Sequence, residues 1–146
     1  MTEYYKEMMQ KGFEFQDFIA DKLIESLGIS LTSYSSKKHQ EKKGENRQGL
    51  EIKFDDKYKT TGNIYIETAE KSNENNPNFV SSGIYRSDNT WLYLIGNYKE
   101  VFIFSKKHLV LIHKTGAYRN VETKTSKGFL LPEEFCEKYC VNKLKF

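Results

Sequence analysis

Two glutamates and a lysine, carried by two segments with the pattern of β-strands, are the residues best able to do chemistry in this chain. Glu51 and Lys53 alternate with apolar residues in the segment 49–55, and Glu67 ends a second alternating segment, 63–67. Alternation with a period of two is typical of strands with one buried face. A turn-like polar segment joins the two, which predicts a β-hairpin. In its symmetric register Glu51 lies directly opposite Glu67.

Two glutamates that face each other across a hairpin need a positive charge between them, because like charges directly opposite on a sheet destabilise it. Magnesium prefers oxygen ligands and keeps several waters, so two carboxylates suffice to bind one ion. The pattern therefore predicts a divalent metal site, for Mg²⁺ or Mn²⁺, between Glu51 and Glu67. The amine of Lys53, on the same face, is placed to stabilise developing negative charge. The plainer interpretation, that each glutamate simply faces water, stays open.

A short polar segment concentrates positive charge, although the net charge of the whole chain is only +3. Against two glutamates it carries five basic residues: Lys37, Lys38, Lys42, Lys43 and Arg47. Such a segment beside an acidic site is typical of a protein with a polyanionic partner. We predict that these side chains bind a nucleic-acid backbone through salt-dependent contacts that do not read its sequence. Taken in isolation, the segment is explained equally well as a solvated loop.

Apolar periodicity predicts the elements that position these residues. Residues 11–27 have apolar side chains at helical spacing and end at a glycine, which predicts a helix. The apolar runs 91–95 and 101–104 predict a second hairpin, buried near the centre of a sheet. Shorter helices are expected after Ser105 and from Pro132. This order predicts one α/β or α+β domain, with a mixed central sheet built from hairpins and flanked by helices.

Composition and cysteine use restrict the class of protein. The chain has 146 residues, of which 29% are charged and 14% aromatic, as expected for one domain with a sizeable core. No apolar run is long enough to cross a bilayer and no signal-peptide core is present, so we expect a cytoplasmic protein. The spacing of Cys136 and Cys140 suits packing on one helix face better than a disulfide or a zinc site. Motifs for phosphate loops, dinucleotides or a serine nucleophile are absent from the sequence.

Together these residues resemble the PD-(D/E)XK superfamily, whose members include restriction endonucleases, junction resolvases and phage nucleases. Members have a first helix that carries a glutamate and a strand that carries an acid. The neighbouring strand has a second acid, followed two positions later by a lysine. Glu14, Glu51 and Glu67 match the three acids. The lysine position falls on Ala69, and the amine of Lys53 is placed to reach the same space.

The resemblance implies a restriction-endonuclease-like core and metal-dependent hydrolysis of phosphodiester bonds in DNA, in a protein of phage or mobile-element type. It also implies that the Thr68 carbonyl is a third metal ligand and that Glu14 lies in an outer shell or binds a second ion. A homodimer is expected by resemblance only.

Two alternatives stay open. In a second alignment Glu51-Ile52-Lys53 is itself the acid-x-lysine unit, with Glu45 or Glu67 as the partner acid, and the hairpin register favours Glu67. Lys71 is a further candidate for the amine. A chain that kept the fold and lost the lysine would instead be a non-catalytic module that binds nucleic acid or a protein, and a structural domain without a ligand is the third possibility.

Overall fold

The structure, a computed structural model, describes residues 3–32 and 44–146. Within these ranges no helix combines the length and the apolar character that crossing a membrane requires. In chain order the elements are α1 (Glu3–Leu27), β1 (Leu50–Phe54), α2 (Tyr58–Thr61), β2 (Asn63–Glu70), β3 (Val80–Ser81), a 3₁₀ turn (Gly83–Tyr85), β4 (Leu92–Gly96), β5 (Glu100–Ser105), α3 (Lys106–Lys114), β6 (Asn120–Glu122), β7 (Ser126–Pro132), α4 (Glu133–Tyr139) and β8 (Asn142–Lys145). The predicted mixed class of helices and strands is confirmed.

The described strands form two four-stranded sheets rather than one central sheet. The first has the order β1-β4-β5-β8, with β1 parallel to β4 and the other pairs antiparallel. The second has the order β3-β2-β7-β6 and is antiparallel throughout. The predicted hairpin of β4 and β5 is confirmed at the centre of the first sheet. It is buried on both faces because α1 covers one face and the second sheet packs towards the other.

The helix α1 packs on the first sheet through one stripe of side chains. Phe15, Ile19 and Leu23 are essentially inaccessible to solvent and contact apolar residues of β1, β4 and β5. The helix ends as predicted at Gly28, whose φ of 67° lies in the left-handed region and whose N–H donates to the Ile24 carbonyl at 3.0 Å. It begins at Glu3 instead of residue 11.

The predicted hairpin of β1 and β2 is wrong, since the two strands belong to different sheets. In register Glu51 pairs with Tyr93 of β4, whereas Glu67 pairs with Gly128 of β7. The segment between β1 and β2 is not a tight turn because it contains Tyr58, which is fully buried in the core between the sheets. Burying this ring takes the chain out of the first sheet before β2 begins.

A buried glutamate stabilises the connection between β1 and β2. Glu100, at the start of β5, accepts a hydrogen bond from the Tyr58 hydroxyl at 2.5 Å. Its carboxylate also lies 3.0 Å from Lys59 Nζ and 3.2 Å from Lys143 Nζ. Burial alone would raise the pKa of Glu100, but these three hydrogen bonds outweigh it and lower the pKa to about 2. The network therefore joins α2, β5 and β8 around one charge.

A candidate carboxylate–lysine site

The strand β1 places Glu51 and Lys53 on the face that looks away from α1. Leu50 and Ile52 point into the core beneath α1, so the alternating residues point to the other side. Lys53 Nζ lies 3.3 Å from Glu51 Oε1, and the side chains are 47% and 9% exposed respectively. The Glu51 side chain is thus largely shielded from water, and the Lys53 side chain is half-exposed.

Glu45 joins this pair from the bend that precedes β1. Its Oε2 accepts a hydrogen bond from the Ile52 backbone N–H at 3.2 Å. The bend is fixed by Asn46, whose side chain donates to the Leu50 carbonyl at 2.6 Å and accepts from the Leu50 N–H at 2.9 Å. Asn46 is buried, and its side chain pairs with the backbone N–H and carbonyl of Leu50 as a neighbouring strand would. The chain therefore returns sharply enough to bring Glu45 back beside β1.

Glu67 is held by two serine hydroxyls. Ser82 Oγ donates to its Oε2 at 3.0 Å, and Ser126 Oγ donates to its Oε1 at 3.1 Å. Ser82 comes this close because Gly83 follows it with a φ of 55°. A Cβ atom at Gly83 would lie 2.1 Å from the Glu67 carbonyl oxygen, so a side chain at that position is sterically excluded.

Three carboxylates act on the single amine of Lys53. Desolvation by the surrounding protein would lower the pKa of Lys53, but the negative charges of Glu51, Glu45 and Glu67 outweigh it and raise the pKa above its ordinary value. The amine is therefore a permanent cation. With all three acids ionised, the cluster of three carboxylates and one ammonium has a formal charge of −2.

This negative charge is only partly compensated. Burial, with the repulsion of Glu51 second, raises the pKa of Glu45 from 4.5 to about 7. Burial, then the charge of Glu51 and a hydrogen bond to its carboxylate, raise the pKa of the Tyr93 hydroxyl. Among the described residues, Glu51 Oε2 and the Tyr93 hydroxyl oxygen are the two buried side-chain polar atoms without a well-aligned hydrogen bond, and they lie beside each other. Buried polar atoms are normally well paired, so the pairing is incomplete on this side of Glu51.

A cavity of about 290 Å³ adjoins the cluster. It lies between the end of β1, the strand β2, the 3₁₀ turn and α1, and its walls include Met8, Lys53, Tyr65, Glu67, Ile84 and Tyr93. A ligand in this cavity would contact Lys53 and Glu67 directly.

The structure brings three of the predicted site residues together and places the other described ones elsewhere. Glu51, Lys53 and Glu67 share the cluster, although Glu51 and Glu67 do not pair across a hairpin. Glu14 is exposed on α1 and accepts a hydrogen bond from Gln10 Nε2 at 3.1 Å. The α1 residue that reaches the cluster is Gln16, whose Nε2 donates to Glu45 Oε1 at 3.5 Å.

The remaining predicted positions have local roles. The Thr68 carbonyl accepts the Ser82 N–H at 3.1 Å, at an irregularity in the pairing of β2 with β7. Arg47 is exposed on the turn before β1. Lys71 Nζ lies 4.7 Å from the centroid of the Phe79 ring. The predicted basic residues Lys37, Lys38, Lys42 and Lys43 lie outside the described residues.

One acid of the cluster was predicted only as an alternative, and the residues around it were not predicted. Glu45 was the partner acid of the second alignment, because six residues appeared too few for a return to β1. Asn46 makes that return possible through its two hydrogen bonds to Leu50, and an asparagine shortly before a strand is the local signal for such a turn. Tyr93, Ser82 and Ser126 had no local signal, since each reaches the cluster only through sheet pairing or loop packing.

The acids of the described part of the chain do not form a complete metal cage. No three side chains of histidine, cysteine, aspartate or glutamate converge there closely enough to bind an ion by themselves. Both cysteines are free. An ion at the cluster would therefore have at most two carboxylate ligands, with water and substrate in its other positions, as Mg²⁺ sites commonly do.

Comparison of the chain with models of protein families, with curated proteins and with solved structures gives no significant match. The resemblance to PD-(D/E)XK nucleases stays a prediction, and the geometry of the cluster is the basis for assigning a function.

Proposed function

We propose that this chain is a metal-dependent nuclease that hydrolyses phosphodiester bonds in DNA at the cluster of Glu45, Glu51, Lys53 and Glu67. The proposal rests on one observation at Glu51. Its buried Oε2 forms no well-aligned hydrogen bond among the described residues, although the Tyr93 hydroxyl is its neighbour, and burial and the charge of Glu51 raise the pKa of the second acid, Glu45, to about 7. A cation beside these oxygens would complete the contacts of Glu51 and lower the cost of ionising Glu45.

The charge of the cluster makes a divalent ion necessary for phosphate chemistry. Lys53 neutralises only one of three carboxylates, so the net charge of the cluster repels a phosphate. The available ligands are carboxylate oxygens, the type that Mg²⁺ and Mn²⁺ prefer. A bound ion would polarise the phosphoryl group and lower the pKa of a water molecule.

Each residue of the cluster has a separate role in the proposed reaction. Glu51 and Glu45 are the best candidates to bind the ion, since the charge of Glu51 reaches Glu45 strongly enough to help raise its pKa. Lys53, a permanent cation at the cavity wall, donates hydrogen bonds to phosphoryl oxygens and stabilises their developing charge. Glu67, oriented by Ser82 and Ser126, is fixed as a hydrogen-bond acceptor across the same cavity. This division favours the second alignment, with Glu51-Ile52-Lys53 as the acid-x-lysine unit.

The test compares matched glutamate variants on several DNA forms. Wild-type protein is incubated with supercoiled plasmid, single-stranded DNA and branched DNA, each in Mg²⁺, Mn²⁺ or EDTA. We expect cutting that requires the ion and disappears in Glu51→Gln. The control is Glu25→Gln, the same chemical change at an exposed ion pair with Lys22 on α1. Cutting in EDTA, or full activity of Glu51→Gln, would contradict the proposal.

The variant Lys53→Met separates binding of the ion from chemistry. It removes the cation without adding charge, so Mn²⁺ should still stabilise the fold, and should bind at least as tightly as in wild type. Cutting should nevertheless be lost, because the phosphoryl oxygens have lost their donor. Loss of both Mn²⁺ binding and cutting would mean that Lys53 serves only to hold the carboxylates together.

The second candidate is a non-catalytic module, favoured by Ala69 at the lysine position of the superfamily pattern. In the same assay it would retain DNA in a mobility shift and cut none of the forms in either metal. The expected DNA contacts of Lys37, Lys38, Lys42, Lys43 and Arg47, the homodimer and the cytoplasmic location stay predictions.

A further inference from the structure

We infer that the cavity beside the cluster binds one unpaired nucleotide base, so that the substrate class is nucleic acid with an unpaired or extruded nucleotide. This inference rests on the proposed function for the divalent ion that offsets the charge of the cluster and for the chemistry that follows binding. The walls and the size of the cavity and the Tyr93 hydroxyl favour a base as the bound group.

The size of the cavity suits a single ring system. Its volume of about 290 Å³ lies just below the roughly 300–1,000 Å³ typical of small-molecule sites. A duplex does not fit into a cavity of this volume. A base that has left its stack does fit, and enzymes that act on such bases bind them between aromatic and apolar side chains.

The walls provide that environment. Tyr65 and Tyr93 supply aromatic rings, and Met8 and Ile84 supply apolar contacts. The ring of Tyr65 is fixed in place because its hydroxyl hydrogen-bonds to Ser126 Oγ at 2.5 Å. A ring that is already immobilised loses little conformational freedom when a base packs against it.

The buried hydroxyl of Tyr93 gives the cavity a polar contact for a base edge. It forms no well-aligned hydrogen bond in the described protein, although the Glu51 carboxylate lies beside it, and the residue is only 3% exposed and lines the cavity. A buried tyrosine hydroxyl normally has a well-aligned partner. The ring nitrogens and exocyclic groups of a base are suitable additional partners, whereas an aliphatic ligand offers none.

The cavity and the cluster are arranged for one nucleotide. Lys53 and Glu67 line the same cavity as the tyrosines. A base among the apolar walls therefore places its own sugar and phosphate near the Lys53 amine. A base within a continuous duplex cannot take this position without being extruded, so single-stranded, mismatched or branched nucleic acid is favoured.

The probe is 2-aminopurine, a fluorescent base whose emission changes when it leaves a base stack for a protein pocket. It is placed in a single strand, at an unpaired position in a duplex, and in a fully paired duplex of the same sequence. Binding is measured by fluorescence and by anisotropy, in Ca²⁺ and in EDTA. In Ca²⁺ we expect a fluorescence change with both unpaired forms and about tenfold tighter binding than to the paired duplex, the size of one base–aromatic stacking contact. In EDTA we expect weaker binding of all forms, because the uncompensated charge of the cluster repels the phosphate.

Two variants localise the binding. Met8→Trp fills part of the cavity from α1. It should weaken binding of the unpaired forms about tenfold, because the base loses one stacking contact. Its control is Phe13→Trp, on the same helix at a side chain that is 51% exposed and not part of the cavity wall. Tyr93→Phe removes only the hydroxyl and should weaken binding about fivefold, the effect of one hydrogen bond. Thermal unfolding of each variant confirms that it is folded.

The outcomes separate this inference from the proposed nuclease. Equal affinity for paired and unpaired forms, or no fluorescence response, overturns the base pocket, even if DNA is cut in a Glu51-dependent way. A fluorescence response that is lost in Met8→Trp supports the base pocket, even if no DNA is cut. In that case only the proposed nuclease activity is contradicted. A response that Met8→Trp and Tyr93→Phe leave unchanged places the base elsewhere and also overturns the inference.

Discussion

Replacing Glu45 by glutamine should stabilise the protein near neutral pH and leave its stability almost unchanged in mild acid. Glutamine has nearly the shape of a protonated glutamate and carries no charge. In wild type, burial and the charge of Glu51 raise the pKa of Glu45 from 4.5 to about 7. The ionised carboxylate is therefore disfavoured in the folded state, and the substitution removes that penalty.

The size of the effect follows from linkage between protonation and folding. A pKa that is raised in the folded state stabilises the fold fully below the unfolded value of 4.5, and the contribution is lost as pH rises through about 7. Between pH 5 and pH 8 wild type should lose about 2 to 3 kcal/mol from this group, at ~1.4 kcal/mol per pKa unit. Glutamine has one acceptor oxygen instead of two, which costs about 1 kcal/mol. We expect Glu45→Gln to be about 1 to 2 kcal/mol more stable than wild type at pH 8.

Urea unfolding of wild type and Glu45→Gln, each at pH 5 and pH 8 with EDTA present, measures this difference. The decisive quantity is the change in the free-energy difference between the two pH values, because the other titrating groups are common to both proteins. The exposed substitution Glu25→Gln should show no such change. A Glu45→Gln protein that is destabilised equally at both pH values would refute the reasoning, since Glu45 would then act only as a hydrogen-bond acceptor.

Three further substitutions test the framework that positions the cluster. Tyr58→Phe removes the donor to the buried Glu100 and should cost about 1 to 3 kcal/mol in urea unfolding. Asn46→Ala removes both hydrogen bonds to Leu50 and should cost about 2 kcal/mol, with faster amide exchange at Leu50. Gly83→Ala should lower the melting temperature and shift the NMR signals around the 3₁₀ turn, because its Cβ would lie 2.1 Å from a backbone oxygen of β2.

The elements that the sequence predicted correctly are those whose signals are local. The end of α1 was predicted from helical spacing and Gly28, and both are observed. The start of α3 was predicted from Ser105, whose hydroxyl oxygen accepts a hydrogen bond from the His108 N–H at 3.3 Å. The central β4–β5 hairpin was predicted because the signal, two apolar runs about a short polar turn, is also local.

The partner of β1 was mispredicted because alternation defines a strand without defining its neighbour. The parallel pairing of β1 with β4 depends on a crossover through α2, β2, β3 and the 3₁₀ turn, which no local pattern encodes. The strand β8 was not predicted, and neither was the hairpin of β6 and β7, because β6 has only three residues and shows no period. The charges of Glu51 and Glu67 nevertheless both act on Lys53, and the role predicted for these residues stays a prediction.

The cluster combines an acid that is costly to ionise with a carboxylate oxygen that lacks a well-aligned partner. Burial first, and the charge of Glu51 second, raise the pKa of Glu45. Glu51 Oε2 forms no well-aligned hydrogen bond, although the hydroxyl of its register partner Tyr93 lies beside the carboxylate. Both features are unfavourable for a cluster that serves folding alone, and a cation at the carboxylates, as proposed above, would relieve both.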